Sequence, residues 1–142
     1  MFLGTFTPKF DEKGRFFLPS KFREALADGL VITRQPDRCL AIWPTDVFKA
    51  EVARSVTGPS SKEETRAFQR MVSAGASDES ADGQGRVTVP QSLRSYARLK
   101  REIVVIGAYN RLEIWDPQAW EEYQSAQEED FAVIDKDGSG AD

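Results

Sequence analysis

The 142-residue chain contains no histidine at all. That absence removes the commonest general base and the commonest ligand of catalytic metals, leaving only carboxylate, lysine or lone-serine chemistry for an active site. It argues against an enzyme, and no cofactor or metal is expected. Cysteine is nearly as scarce, since Cys39 is the only one, so neither an internal disulfide nor a thiolate metal cluster can form. Cys39 stands in the apolar run Cys39-Leu40-Ala41-Ile42-Trp43, the setting of a small buried strand residue rather than of a reactive thiol. Long hydrophobic runs are missing too: no apolar stretch approaches the ~20 residues that span a bilayer as a helix. The N-terminus has no basic segment followed by an apolar one. A soluble, cytoplasmic protein is expected, with no membrane and no small-molecule substrate among its partners.

Positive charge is short only at one end. The net charge is -4, yet residues 113–142 carry one basic and ten acidic groups, whereas residues 1–112 carry 18 basic against 13 acidic. The acidity is therefore terminal, and most of the chain is mildly basic.

What the sequence does contain is a duplication. Asp11-Glu12-Lys13-Gly14-Arg15-Phe16-Phe17-Leu18-Pro19 returns 71 residues later as Asp82-Gly83-Gln84-Gly85-Arg86-Val87-Thr88-Val89-Pro90. Leu40-Ala41-Ile42-Trp43 returns as Leu112-Glu113-Ile114-Trp115 at an offset of 72. Two units of roughly 45 structured residues would be marginal alone, so they are expected to share one core. In the first unit, strand alternation over Phe2 to Phe6, a Gly-containing turn at Asp11 to Gly14 and a return strand from Arg15 predict a hairpin. Pro19 ends that strand, and Ser20 is placed to cap a short helix with Phe22, Ala25 and Leu26 on one face. Leu30 to Thr33 and Cys39 to Trp43 form a second hairpin, followed by a helix from about Thr45. Thr57 to Ser61 reads as a joint, with Ser61 and Glu64 as the capping box of a helix striped by Phe68, Met71 and Val72. The second unit repeats the pattern and ends on a helix bearing Trp120 and Tyr123. The expected division is a first repeat at 1–56, a linker and helix at 57–73, a second repeat at 74–124 and a disordered acidic tail at 125–142.

In the repeated motif, Asp can accept backbone N–H groups in the turn, Gly allows the reversal and Pro ends the strand. Arginine has no such structural necessity. It offers a planar fork of donors suited to guanine edges, phosphate or carboxylate, and by local chemistry alone a structural ion pair with an Asp of either turn is an equal alternative. Lys9, Lys13, Arg15, Lys21 and Arg23 surround the first turn in sequence, but only Arg86 stands near the second, so the first is the better candidate for nucleic acid. A two-stranded ribbon can enter the major groove while lysines meet phosphates. Trp43, Trp115 and Trp120 read as core or interface residues rather than base-stacking platforms.

These motifs, with the Met1-Phe2-Leu3-Gly4 start and Gly107 to Trp115, resemble the MraZ family, bacterial proteins of two AbrB-like swapped-hairpin repeats; the likeness covers residues 1 to about 123. It implies an α+β, mostly β, pseudo-twofold domain with short helices. It also implies a nucleoid-associated transcriptional regulator of the division and cell-wall gene cluster, acting on repeats in its own promoter as a ring-forming homo-oligomer. Carried over by motif, Asp11, Lys13, Gly14 and Arg15 form the DNA-binding turn, with Arg15 reading bases and Lys13 and Lys9 in support. The second turn matches at Asp82, Gly85 and Arg86, with Gln84 where the first copy has Lys13, which leaves both DNA contact and subunit packing open to it. The rival expectation is a ring-forming scaffold that binds polypeptides through strand edges.

Overall fold

Two apolar runs, Leu30 to Ile32 and Leu40 to Trp43, are rich in β-branched and bulky residues on both of their faces, which suits strands covered from both sides. In the computed structural model, which describes residues 1–55 and 62–134, they lie inside a six-stranded antiparallel sheet. The first copy contributes β1 (Thr5–Phe6), β2 (Arg15–Phe17), a 3-10 turn (Ser20–Phe22), β3 (Leu30–Gln35), β4 (Cys39–Pro44) and α1 (Thr45–Ser55). Then come α2 (Glu63–Gly75), β5 (Ser77–Glu79), β6 (Arg86–Thr88), α3 (Gln91–Tyr96), β7 (Val104–Gly107), β8 (Leu112–Trp115) and α4 (Pro117–Ile134). The sheet order is β1-β7-β8-β4-β3-β5, and β2 pairs with β6 as a separate two-stranded ribbon.

This order is a twofold arrangement closed within one chain. β4 and β8 meet with Ala41 opposite its copy-equivalent Glu113, and the ribbon centres on Phe16 opposite its equivalent Val87. Each outer strand pairs with the other copy: β1 adds to β7, and β5 adds to β3. The first hairpin expected from the sequence is therefore corrected. The strand before Asp11 and the strand after it do not pair with each other; each finds its partner in the other repeat. The hairpins β3–β4 and β7–β8 form as expected.

One face of the sheet is covered by the ribbon and the short helices. Phe16, Leu18, Val87 and Val89 pack with Ile32, Leu40, Ile42, Val105, Leu112 and Ile114 in a core to which both copies contribute. The opposite face carries Cys39, Val104, Ile106 and Trp115, against which Ala119 and Trp120 of α4 pack. Trp43 and Trp115 are buried, and their indole N–H groups bond to Thr33 and Glu113. Gly107 has a reason to lack a side chain, because a Cβ there would come within 2.4 Å of the Phe2–Leu3 backbone.

Several local expectations need revision. The short helix after Pro19 is a single 3-10 turn whose N-cap is Pro19, without a side-chain cap from Ser20. Phe22 and Leu26 are buried, but Ala25 faces solvent. Helix α2 starts from Lys62, while Ser61 and the joint from Thr57 lie outside the described residues; its Phe68 and Met71 are exposed. The acidic tail is not disordered from residue 125, since α4 continues to Ile134. Asp116 accepts from the Ala119 N–H and Pro117 occupies the first turn, so the helix begins with a cap. Its exposed stretch from Gln124 to Glu129 is mostly Glu, Gln and Ala, residues that favour helix without any buried face. Residues 135–142 lie outside the described part.

Burial pushes the Cys39 thiol up to about 12, with the carboxylates of Glu113 and Asp37 adding to the effect. The thiol therefore stays protonated at pH 8. Native protein is expected to resist a disulfide reagent there and to react fully in denaturant; fast stoichiometric labelling of folded protein would contradict this.

Candidate nucleic-acid interface

Each Asp-x-x-Gly-Arg turn is built by its own aspartate. Asp11 Oδ1 accepts from the Lys13 N–H (2.8 Å) and the Arg15 N–H (3.0 Å). Its Oδ2 accepts from Arg15 Nε at 2.7 Å. Asp82 repeats the pattern with the N–H groups of Gln84 (3.0 Å) and Arg86 (2.8 Å) and with Arg86 Nε (2.7 Å). Gly14 and Gly85 sit at φ +75° and +82°, the left-handed region that glycine enters at little cost. The ion pair weighed from sequence thus exists, and it lies within each turn. It occupies only Nε: among the described residues, the two terminal nitrogens of Arg15 and of Arg86 have no hydrogen-bond partner. The aspartate therefore acts as a splint, fixing the stem of the guanidinium and leaving its fork outward.

The N–H bonds also set the aspartate's charge. Asp11 is held down at about 2, first by the Arg15 backbone N–H and further by the guanidinium and the Lys13 N–H. Asp82 is lowered by the same contacts, led by the Arg86 N–H. Because the folded value lies below the unfolded one of ~3.9, the turn's contribution to stability is complete above that value and is lost as pH falls through the folded one. A carboxyl-carbon NMR titration is expected to place Asp11 near 2. A midpoint near ~4 would mean that the splint does not hold in solution.

Pairing of β2 with β6 decides where these groups point. Strand alternation buries Phe16 and Val87 against the sheet and turns Arg15, Phe17, Arg86 and Thr88 outward, Arg15 opposite Thr88 and Phe17 opposite Arg86. The two turns lie at opposite ends of the ribbon, and the Leu18 N–H to Gly85 O and Val89 N–H to Gly14 O bonds (both 2.9 Å) clamp each end to the other copy. Over Gly14 lies the guanidinium of Arg94, so close that a Cβ there would meet it at 2.8 Å; over Gly85 lies Arg23, at 2.4 Å. Arg94 Nε bonds to Val89 O at 2.9 Å and Arg23 Nε to Leu18 O at 3.4 Å.

Sequence proximity had assigned these cations wrongly. Arg23 belongs to the second turn, which therefore does not rest on Arg86 alone, and the first turn gains Arg94. Lys21 instead lies over the rings of Phe6 and Phe22. The 71-residue spacing of Arg23 and Arg94 was the available signal, legible only once the strands are known to exchange. Lys13 remains the main difference between the turns. Only its backbone N–H is used, so Gln84 substitutes for it without altering the fold. Lys9 is exposed and sits in a bridge opposite Glu102. Among the described residues, the side chains of Lys9 and Lys13 make no hydrogen bond or ion pair, no cluster of three or more Cys, Asp or Glu could hold a metal ion, and no helix is long and apolar enough to cross a membrane.

Comparison with known proteins gives a consistent result. The family model described as "MraZ protein, putative antitoxin-like" matches the chain twice, at residues 1–71 and 72–140. The "Transcriptional regulator MraZ" of Cutibacterium acnes is 59% identical over 132 residues, covering 93% of each chain. That of a Nocardioides species is 50% identical over 95% of this chain and 94% of its own. The protein of the same name from Mycobacterium tuberculosis is 47% identical over 99% of this chain and 98% of its own.

Proposed function

Since the chain belongs to the MraZ family, we propose that it is a transcriptional regulator that binds double-stranded DNA through the outer face of the β2–β6 ribbon. Arg15 and Arg86 direct their free guanidinium edges at bases, and Lys13 and Lys9 meet phosphates beside the first turn. The observation that carries this reading is the pair of congruent splinted turns. Both copies spend a carboxylate on orienting an arginine whose donor fork is left unused, which a purely structural ion pair would not require. The targets are repeats in the protein's own promoter, at the head of the division and cell-wall gene cluster. Subunits act as a ring-forming homo-oligomer associated with the nucleoid. Each ribbon is a modest contact, and several in one assembly grip tandem repeats by avidity, so a net charge of -4 is no obstacle.

Fluorescence anisotropy with DNA from upstream of the gene and a shuffled control, across a salt series, tests this. The native fragment is expected to bind preferentially, with log affinity falling by ~0.9 per phosphate neutralised for each unit of log salt. Equal, weak binding to both fragments would remove the DNA reading in favour of a polypeptide-binding scaffold.

A further inference from the structure

Phe17 is 54% exposed at the end of β2, beside Arg86 on the outer face of the ribbon. It belongs to no aromatic or cation–π pair among the described residues, and its inward neighbour Phe16 already supplies the ribbon's aromatic contribution to the core. At the equivalent position of the other strand, the second copy has Thr88. The outer face is therefore twofold in its arginines and not in the residues opposite them: Arg15 faces Thr88 and Arg86 faces Phe17.

We infer that Phe17 is a specificity-determining residue whose ring packs on the 5-methyl group of a thymine in the major groove, so that each subunit reads a non-palindromic element. This rests on the DNA-binding reading above. The groove edge of an A·T pair offers one apolar group, the thymine methyl, and a phenyl ring on a two-stranded ribbon is a suitable partner for it. Charge opposes a second copy of this face as the cover for Phe17: even with Arg15 and Arg86 braced by Asp11 and Asp82, the two turns gather Lys13, Arg15, Arg86, Arg23 and Arg94 against Asp11, Glu12 and Asp82, so like faces would repel. A polyanion with an apolar patch at its groove edge satisfies both features. Thr88, smaller and with a hydroxyl, makes the other half of the ribbon tolerant of a different base.

The test compares operator DNA with the same sequence carrying deoxyuridine for thymidine, which keeps every base pair and removes only the methyl groups. Full-length wild-type protein is expected to lose about fourfold in affinity per lost methyl contact. Phe17→Ser should bind native operator more weakly by a similar factor and be indifferent to the replacement, with its salt slope and assembly size unchanged. Thr88→Phe should shift sites selected from random DNA toward palindromes. Equal methyl sensitivity in wild type and Phe17→Ser overturns the inference. So does an equal loss by Phe17→Ser on shuffled DNA, which would mean stacking without selection, or a change of assembly size with DNA affinity intact, which would mean a subunit interface. Failure of the DNA-binding reading itself is separately visible, because wild type would then not distinguish operator from shuffled DNA.

Discussion

Phe16→Ala is expected to lower the free energy of unfolding by about 3–5 kcal/mol, the usual range for deleting a buried phenyl ring. Phe16 is 1% exposed, stands opposite Val87 at the centre of the ribbon and packs edge-on against Phe10 with ring centroids 6.0 Å apart. No neighbouring side chain can easily fill the void, because the ribbon has only two strands and its inner face is the lid of the core common to both copies. A domain of this size is held by ~5–15 kcal/mol, so the variant would sit near its stability limit. Urea denaturation followed by far-UV circular dichroism measures the change. The adjacent Phe17→Ala is the internal control: the same residue type on the outer face should change stability by no more than ~0.5 kcal/mol. Similar losses at both positions would refute the assignment of inner and outer faces.

Arg15→Ala should weaken binding to upstream DNA by roughly 5- to 150-fold, corresponding to the ~1–3 kcal/mol of a bidentate arginine–base contact. Its melting temperature should stay near that of wild type, as the pair it forms with Asp11 is partly exposed. Lysine is not expected to rescue, because it cannot offer both a splinted stem and a planar fork. Arg86→Ala should lose affinity by the same order, given the congruence of the two turns. Anisotropy on assembled protein is the measurement, and an Arg15→Ala variant that binds as well as wild type would sink the first-turn assignment. Loss at Arg15 with none at Arg86 would confine base contact to the first copy.

The local chemistry of the turns was legible from residues alone. Asp at the first position, Gly at the fourth and Arg at the fifth imply a carboxylate accepting N–H groups, a left-handed glycine and a strand start, and all three are present. Strand partners were not legible. Residues Phe2 to Phe6 alternate and Arg15 to Leu18 follow a Gly-containing turn, as a hairpin should, yet hydrogen bonding along a strand carries no label for its partner. For Arg15 to Phe17 the equivalent strand of the other copy wins, because the pairing buries Phe16 and Val87 together, while Thr5–Phe6 joins β7. That exchange also moved Arg23 and Arg94, each of which serves the turn distant from it in sequence. The final helix was understated for a different reason. Periodicity detects a buried stripe, and α4 beyond Tyr123 has none, since from Glu121 to Val133 every residue is exposed.

The ribbon's two strands come from one polypeptide, and this bears on how the protein responds to its own abundance. In a reader assembled from two separate chains, dilution dissolves the reading surface itself, and its concentration falls with the square of the protein's. Here the β2–β6 ladder forms on folding and has no dissociation constant. Halving the number of molecules halves the number of complete ribbons and no more. A regulator with such a unit can hold a graded, near-linear relation between copy number and unit supply even at a few molecules per cell, so any steepness in its response must arise above the level of the single subunit.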